Sequence, residues 1–174
     1  MPPNICQTDP AARPRVTVAA VIERQGRFLL VEEHTPDGLR LNQPAGHLEA
    51  GESPQQAAVR EALEETGRTF IPQGMLGIYL ARTRRSSLAD SIDVSYLRLA
   101  FYGTVTRADP TRALDAGIVR TVWMDVEAIR ASARRHRSPL VLRCVEDYLR
   151  GRRFALDLVS TDPSVFCPSA DQGA

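Results

Sequence analysis

Lysine is missing from this 174-residue chain, and all 22 of its basic residues are arginines. That excludes chemistry built on a lysine: Walker-type phosphate loops, Schiff bases and lysine-linked nucleotidyl transfer. A genome rich in arginine codons accounts for the bias more simply than any function. Cysteine is scarce too. Cys6, Cys144 and Cys167 are odd in number and far apart, with no Cys-x-x-Cys pair. Neither a zinc site nor a disulfide framework is expected, which fits a reducing cytoplasm. No apolar run nears the roughly 18 residues of a membrane span, and Met1 to Arg15 lacks the apolar core of a signal peptide. Excess charge of one sign is also absent: 22 basic against 21 acidic residues leaves +1, no basis for holding a polyanion by bulk charge.

What is present reads as one soluble domain between loose ends at 1–14 and 161–174. Val16 to Ile22 and Phe28 to Val31 are strand-like and are split by a turn at Gln25-Gly26. Further strands are expected over Met75 to Ala81, Tyr96 to Val105 and Ile118 to Met124. Helices are expected from Val126 to Arg134 and from Pro139 to Arg150, the second closed by Gly151. Strands interleaved with a few helices imply a mixed sheet covered by helices, an α/β fold.

Residues 44 to 67, PAGHLEAGESPQQAAVREALEETG, carry the chemistry. The glycine- and proline-containing first part reads as a loop. Ser53 is placed to cap a helix, with Pro54 at its first position and Gln56 completing a capping box. Gly67 supplies the left-handed residue that ends it, so the helix should span Pro54 to Thr66. On a helical wheel Glu65 lies about 40° to one side of Glu61 and Glu64 about 60° to the other. Ala57 and Ala58 leave room beside these carboxylates, while Val59, Ala62, Leu63 and Thr66 should pack on the sheet. Like charges so spaced disfavour an isolated helix by about 0.2–0.5 kcal/mol per pair, so the face calls for a cation. Arg60 and Arg68, each four residues from Glu64, can supply it as a solvated ion-pair face. A divalent metal can supply it too: an oxygen-only set without His or Cys suits Mg²⁺, with Mn²⁺ as a substitute.

Laid end to end, Gly46, Glu52, Arg60, Glu61, Ala62, Glu64, Glu65 and Gly67 fit the pattern G-x5-E-x7-R-E-U-x-E-E-x-G-U, where U is a bulky aliphatic residue. This resembles the signature of the Nudix hydrolases, which cleave nucleoside diphosphates linked to another group. One position departs from it: Arg68 stands where an aliphatic is expected, while Ala62 is a small member of its class. Because Arg68 lies past the helix end, a local packing change is expected rather than lost chemistry. Asn42 to Glu52 and Ser138 to Val141 are similar to a bacterial phosphatase branch of the family, and the likeness spans residues 15–160.

The resemblance implies an α/β/α sandwich with a mixed sheet, and hydrolysis of nucleoside di- and triphosphates or of a thiamine-precursor pyrimidine pyrophosphate. It implies metal ligation by Glu61, Glu64, Glu65 and the Gly46 carbonyl. Catalysis falls to Glu61 or Glu64 as base, with Arg60 orienting a carboxylate and Glu52 supporting it. Arg82 and Arg84 (with Arg85), His47, and Arg135 within the basic run Arg134 to Arg137 are candidate substrate contacts; each is also a plausible solvated residue. Asp115 is a candidate extra acid. Tyr79, Tyr96, Phe101 and Trp123 are expected in the core rather than stacked on a base, and Cys144 is expected to be a small core residue. The alternative is a Nudix-fold module that binds a nucleotide without cleaving it; such modules lose box carboxylates, and none is lost here. An arginine-rich nucleic-acid binder is disfavoured by the neutral charge. Thr83 to Ser86 carry neither the proline nor the tyrosine that marks two known substrate subgroups. The expected partner is a small nucleotide or pyrophosphorylated metabolite, with monomer and homodimer both open.

Overall fold

The structure, a computed structural model, describes residues 13–86 and 91–166, with the side chains of 83–86 and 91–93 outside that description. Two strands, β1 (Arg15–Arg24) and β2 (Arg27–Thr35), form the first hairpin. Gln25 and Gly26 both hold positive φ, 53° and 77°, at the turn read from the sequence. Two left-handed residues in a two-residue loop match the right-handed twist of the flanking strands. β3 (Gly38–Asn42), β4 (Ala45–His47), β5 (Phe70–Ser86), β6 (Ser91–Val105) and β7 (Ile118–Asp125) complete a seven-stranded sheet ordered β3-β2-β1-β6-β5. β4 pairs with β1, and β7 with β2. Among the described residues only the β1–β6 strand pairing is parallel, so the sheet is mixed.

Helices cover both faces. α1 (Pro54–Thr66) packs Ala57, Ala58 and Ala62 against Val18, Ala20, Leu99 and Phe101. α2 (Val126–Ala131) and α3 (Leu140–Leu149) pack Ile129, Leu140, Val141, Cys144 and Val145 against Ala19, Val21, Phe28 and Ala100 on the other face. Alternation along β1 and β6 feeds one core and then the other. Each fully buried large aliphatic side chain contributes about 1.5–3 kcal/mol. The fold is the α/β arrangement expected, and among the described residues no helix is long and apolar enough to cross a membrane.

Several boundaries differ. The Gly46 segment is not a loop: Thr17, Val18 and Ala19 pair with His47, Gly46 and Ala45, because a short run can borrow the free edge of β1. Arg82, Arg84 and Arg85 do not follow a strand but lie within one. β5 continues to pair with β6 beyond its apolar stretch, with Arg82 opposite Ser95 and Arg84 opposite Asp93. α2 stops at Ala131, and Ala133–Arg135 forms a 3-10 turn instead of a last helical turn. Within the tail expected to be loose, Pro163–Phe166 forms a 3-10 turn. Cys6, Cys167 and the rest of 1–12 and 167–174 lie outside the described residues.

Candidate active site

α1 forms as its sequence dictates. Ser53 Oγ accepts from the Gln56 backbone N–H, the Gln56 side chain accepts from the Ser53 N–H, and Gly67 closes the helix at φ 63°. The buried face is only partly the one expected: Ala62 and Thr66 are buried as expected, and Val59 packs at the margin of the core. Ala57, Ala58, Glu61, Ala62, Glu65 and Thr66 are buried, whereas Val59 and Leu63 are only half-covered. Three alanines let the helix lie close to the sheet, and the carboxylates are tucked between α1 and β4 rather than turned to solvent.

Gly46 makes this possible. A Cβ at that position would overlap the Glu61 carboxylate, so any larger residue would have to push that side chain out of place. Next to it, the Ala45 backbone N–H donates to Glu65 Oε2 at 2.9 Å. Glu61 and Glu65 retain only 9% and 8% of their exposure. Burial raises both pKa values, that of Glu65 to about 8.

Arg60 ties the rest together. It grips Glu52 with two bonds, Nε to Oε2 at 3.0 Å and Nη2 to Oε1 at 2.7 Å, the fork geometry available to guanidinium but not to ammonium. This pairing holds the Glu52 carboxyl below its ordinary value. Arg60 Nη1 meanwhile stands 2.8 Å from Glu61 Oε1 and 3.0 Å from Glu64 Oε2. Arg68 does not share this work. Its guanidinium lies 6.0 Å from the Trp123 ring centroid and donates to the Thr106 carbonyl.

Three carboxylates, Glu52, Glu61 and Glu64, already converge on the Arg60 guanidinium, with Glu65 beside them and the Gly46 backbone against Glu61. Among the described residues no three acidic, imidazole or thiol groups stand gathered as a ready ligand set; Arg60 Nη1 lies between Glu61 and Glu64. Hard oxygen donors around a cation-holding position fit a divalent ion such as Mg²⁺ or Mn²⁺. Asp115 is tied to the helix through its backbone, its N–H donating to the Glu64 carbonyl at 3.0 Å, and its charge adds to the pKa rise of Glu61 and Glu65.

Residues 12–144 match the family described as NUDIX domain. The chain is a Nudix hydrolase. It is 37% identical over 147 residues to Phosphatase NudJ of Escherichia coli K12 and to that of Shigella flexneri, covering 84% of this chain and 91% of each relative. A solved NUDIX hydrolase from Nitrosomonas europaea is 49% identical with a TM-score of 0.76, covering 86% of this chain and 98% of that one. Membership establishes hydrolysis of pyrophosphate bonds and a small nucleotide-type substrate, in a family that uses divalent metal ions.

The weaker candidates of this Nudix hydrolase scatter. His47 is exposed and lies at the rim of a cavity of about 210 Å³ behind β4. Arg82 is exposed on β5, and the Arg84 side chain lies outside the described residues. Arg135 is not at the carboxylates; it pairs with Glu32, which Arg120 also holds at 2.7 Å. Arg137 of the same run reaches the cavity instead. Tyr79 and Phe101 are core residues as expected, but Tyr96 lines the cavity and Trp123 is half-exposed beneath Arg24. Thr17, Glu33, Asn42 and Arg98 of that cavity escaped the sequence reading. The available signal was an arginine in the middle of the apolar strand YLRLAFYG.

Proposed function

We propose that this Nudix hydrolase is a Mg²⁺-dependent phosphatase of the NudJ kind, with Mn²⁺ able to substitute. It would release orthophosphate from nucleoside di- and triphosphates or from a related pyrophosphorylated metabolite such as the thiamine-precursor pyrimidine pyrophosphate. The observation that carries this reading is the convergence of Glu61 and Glu64 on one cation position against Gly46, joined to the name borne by relatives of near-equal length.

Glu61, Glu64, Glu65 and the Gly46 carbonyl would hold the metal. When bound, a divalent ion neutralises phosphate oxygens and acidifies water. The chain's own groups do the remainder. Glu64, the most accessible of the three helix carboxylates with 30% of its side chain exposed, takes the proton from the attacking water. Arg60 fixes Glu61 and Glu64 against Glu52, and Glu65 is oriented by the Ala45 N–H. With no lysine in the chain, arginines must meet the far phosphates; Arg82 and Arg84 on β5 are the candidates, with His47 at the rim, whereas Arg135 is drawn away by Glu32. All box carboxylates are retained, which favours turnover over mere nucleotide binding.

Hydrolysis of a nucleoside triphosphate in ¹⁸O-labelled water, with products separated, tests the reading. Label in orthophosphate with accumulating diphosphate is the expected result. Pyrophosphate released with monophosphate would place the chain among pyrophosphohydrolases instead.

A further inference from the structure

Arg68, the residue that departs from the family signature, meets a second arginine past the C-terminal end of α1. Arg24, at the end of β1, and Arg68 both stand over the Trp123 ring of β7, with Cζ 5.1 and 6.0 Å from its centroid. They donate to consecutive carbonyls at the end of β6: Arg24 Nη2 to Val105 at 3.0 Å, and Arg68 Nη1 to Thr106 at 3.2 Å. Each guanidinium is therefore held in place by one backbone bond and one aromatic face. Arg24 is exposed, and Arg68 and Trp123 are half-buried, so an ion has access to the pair from solvent.

No carboxylate answers these two charges. Elsewhere on the fold arginine heads meet acids: Arg60 meets Glu52, Arg120 meets Glu32, and Arg143 meets Asp147. Among the described residues Arg24 and Arg68 form no such ion pair. The acids that the backbone brings to this end of the sheet are engaged elsewhere. Strand register sets Arg27 opposite Arg24 and Asp125 opposite Arg27, but the Asp125 carboxylate caps α2, accepting from the Ala128 N–H at 2.8 Å. Asp109 donates its N–H to the Gly67 carbonyl and turns its carboxylate to Thr111. The charge of Arg68 is costly where it stands. Its Nε is shielded from solvent without a hydrogen-bond partner, and burial together with the charge of Arg24 lowers its pKa. Two carbonyl dipoles and one ring face offset part of this, but none of them carries a net negative charge. A bound anion supplies what is missing, and guanidinium forks match the oxygens of a phosphate-type ion.

We propose that Arg24 and Arg68, over Trp123, form a second anion site, apart from the carboxylates of α1, that takes a doubly charged tetrahedral oxyanion such as orthophosphate. The ion bridges the end of β1 to the residue that follows the catalytic helix, so its binding ties α1 to the sheet. The site needs neither metal nor turnover, and it stands whichever bond the hydrolase cuts.

Trp123 is the single tryptophan of the chain, so its emission reads this site directly. Orthophosphate is titrated into the metal-free protein at pH 8, with ionic strength held constant by sodium chloride. The wild type should show a saturable change in emission, half complete at millimolar concentration or below, and orthophosphate should raise its Tm above that in chloride alone. Arg68→Leu installs the aliphatic of the family pattern, and Arg24→Gln removes the other charge. Each should raise the half-saturation concentration at least about tenfold and abolish the rise in Tm. Arg68→Gln is read in the same way if the leucine variant does not fold. Sulfate should compete with orthophosphate at similar concentrations, and acetate should not. An emission that does not respond, a response that chloride reproduces, one that both variants retain, or acetate binding as tightly as orthophosphate overturns the proposal.

Discussion

Replacing Glu65 with Gln should change how stability depends on pH, with no metal present. Glu65 is buried against β4, and desolvation raises its pKa from 4.5 to about 8. At pH 7 the group is then about nine-tenths protonated in the folded chain and ionised in the unfolded one. The folded state holds the extra proton, so the stabilising contribution is complete below about pH 4.5 and is lost as pH rises through 8. That loss is about 1–2 kcal/mol between pH 7 and pH 9, and a further 2–3 kcal/mol or so between pH 5 and pH 7. A glutamine side chain in its place cannot ionise, yet its carbonyl can accept the Ala45 N–H that Glu65 Oε2 accepts at 2.9 Å. Urea unfolding in EDTA at pH 5, 7 and 9 should therefore show Glu65→Gln gaining on the wild type as pH rises. Groups that titrate equally in both proteins cancel in the difference. A stability difference that stays flat across this range would refute the claim that Glu65 is held neutral by burial.

Gly46→Ala forces a methyl into the Glu61 carboxylate; it should cost about 1–3 kcal/mol in stability and about a hundredfold in kcat/KM, read by thermal melts and steady-state rates. Arg60→Lys keeps the charge but loses the two-bond grip on Glu52, so metal affinity measured by calorimetry should fall about 10–100-fold. Glu64→Gln should lower kcat about 10²–10⁴-fold while the apo melting temperature holds; Glu127→Gln on exposed α2 is the control and should leave the rate unchanged.

The box helix was legible to the residue because its ends are written locally, by Ser53-Pro54-Gln56 and by Gly67. The sheet's apolar strands were legible for the same kind of reason, as alternating or continuous apolar runs. β4 was not, since three residues, Ala45–His47, form a strand only by pairing with β1. Which face of α1 is buried was also hidden. Periodicity sorts residues by polarity, but here Gly46 opens a space that accepts Glu61, and the sheet packs chiefly on alanines, with Val59 only half-covered at the margin. The cavity behind β4 depends on register between strands distant in sequence, Thr17 with Arg98, a contact that no local pattern encodes.

The most direct test of metal-assisted hydrolysis at α1 is orthophosphate release from a nucleoside triphosphate against free Mg²⁺ buffered with EDTA, in the wild type and in Glu61→Gln. The wild type should saturate at millimolar Mg²⁺ and fall to background in excess chelator, and Glu61→Gln should stay at least about a hundredfold slower at every concentration. Full turnover in excess chelator, or a Glu61→Gln curve that overlies the wild type, would contradict the assignment of these carboxylates.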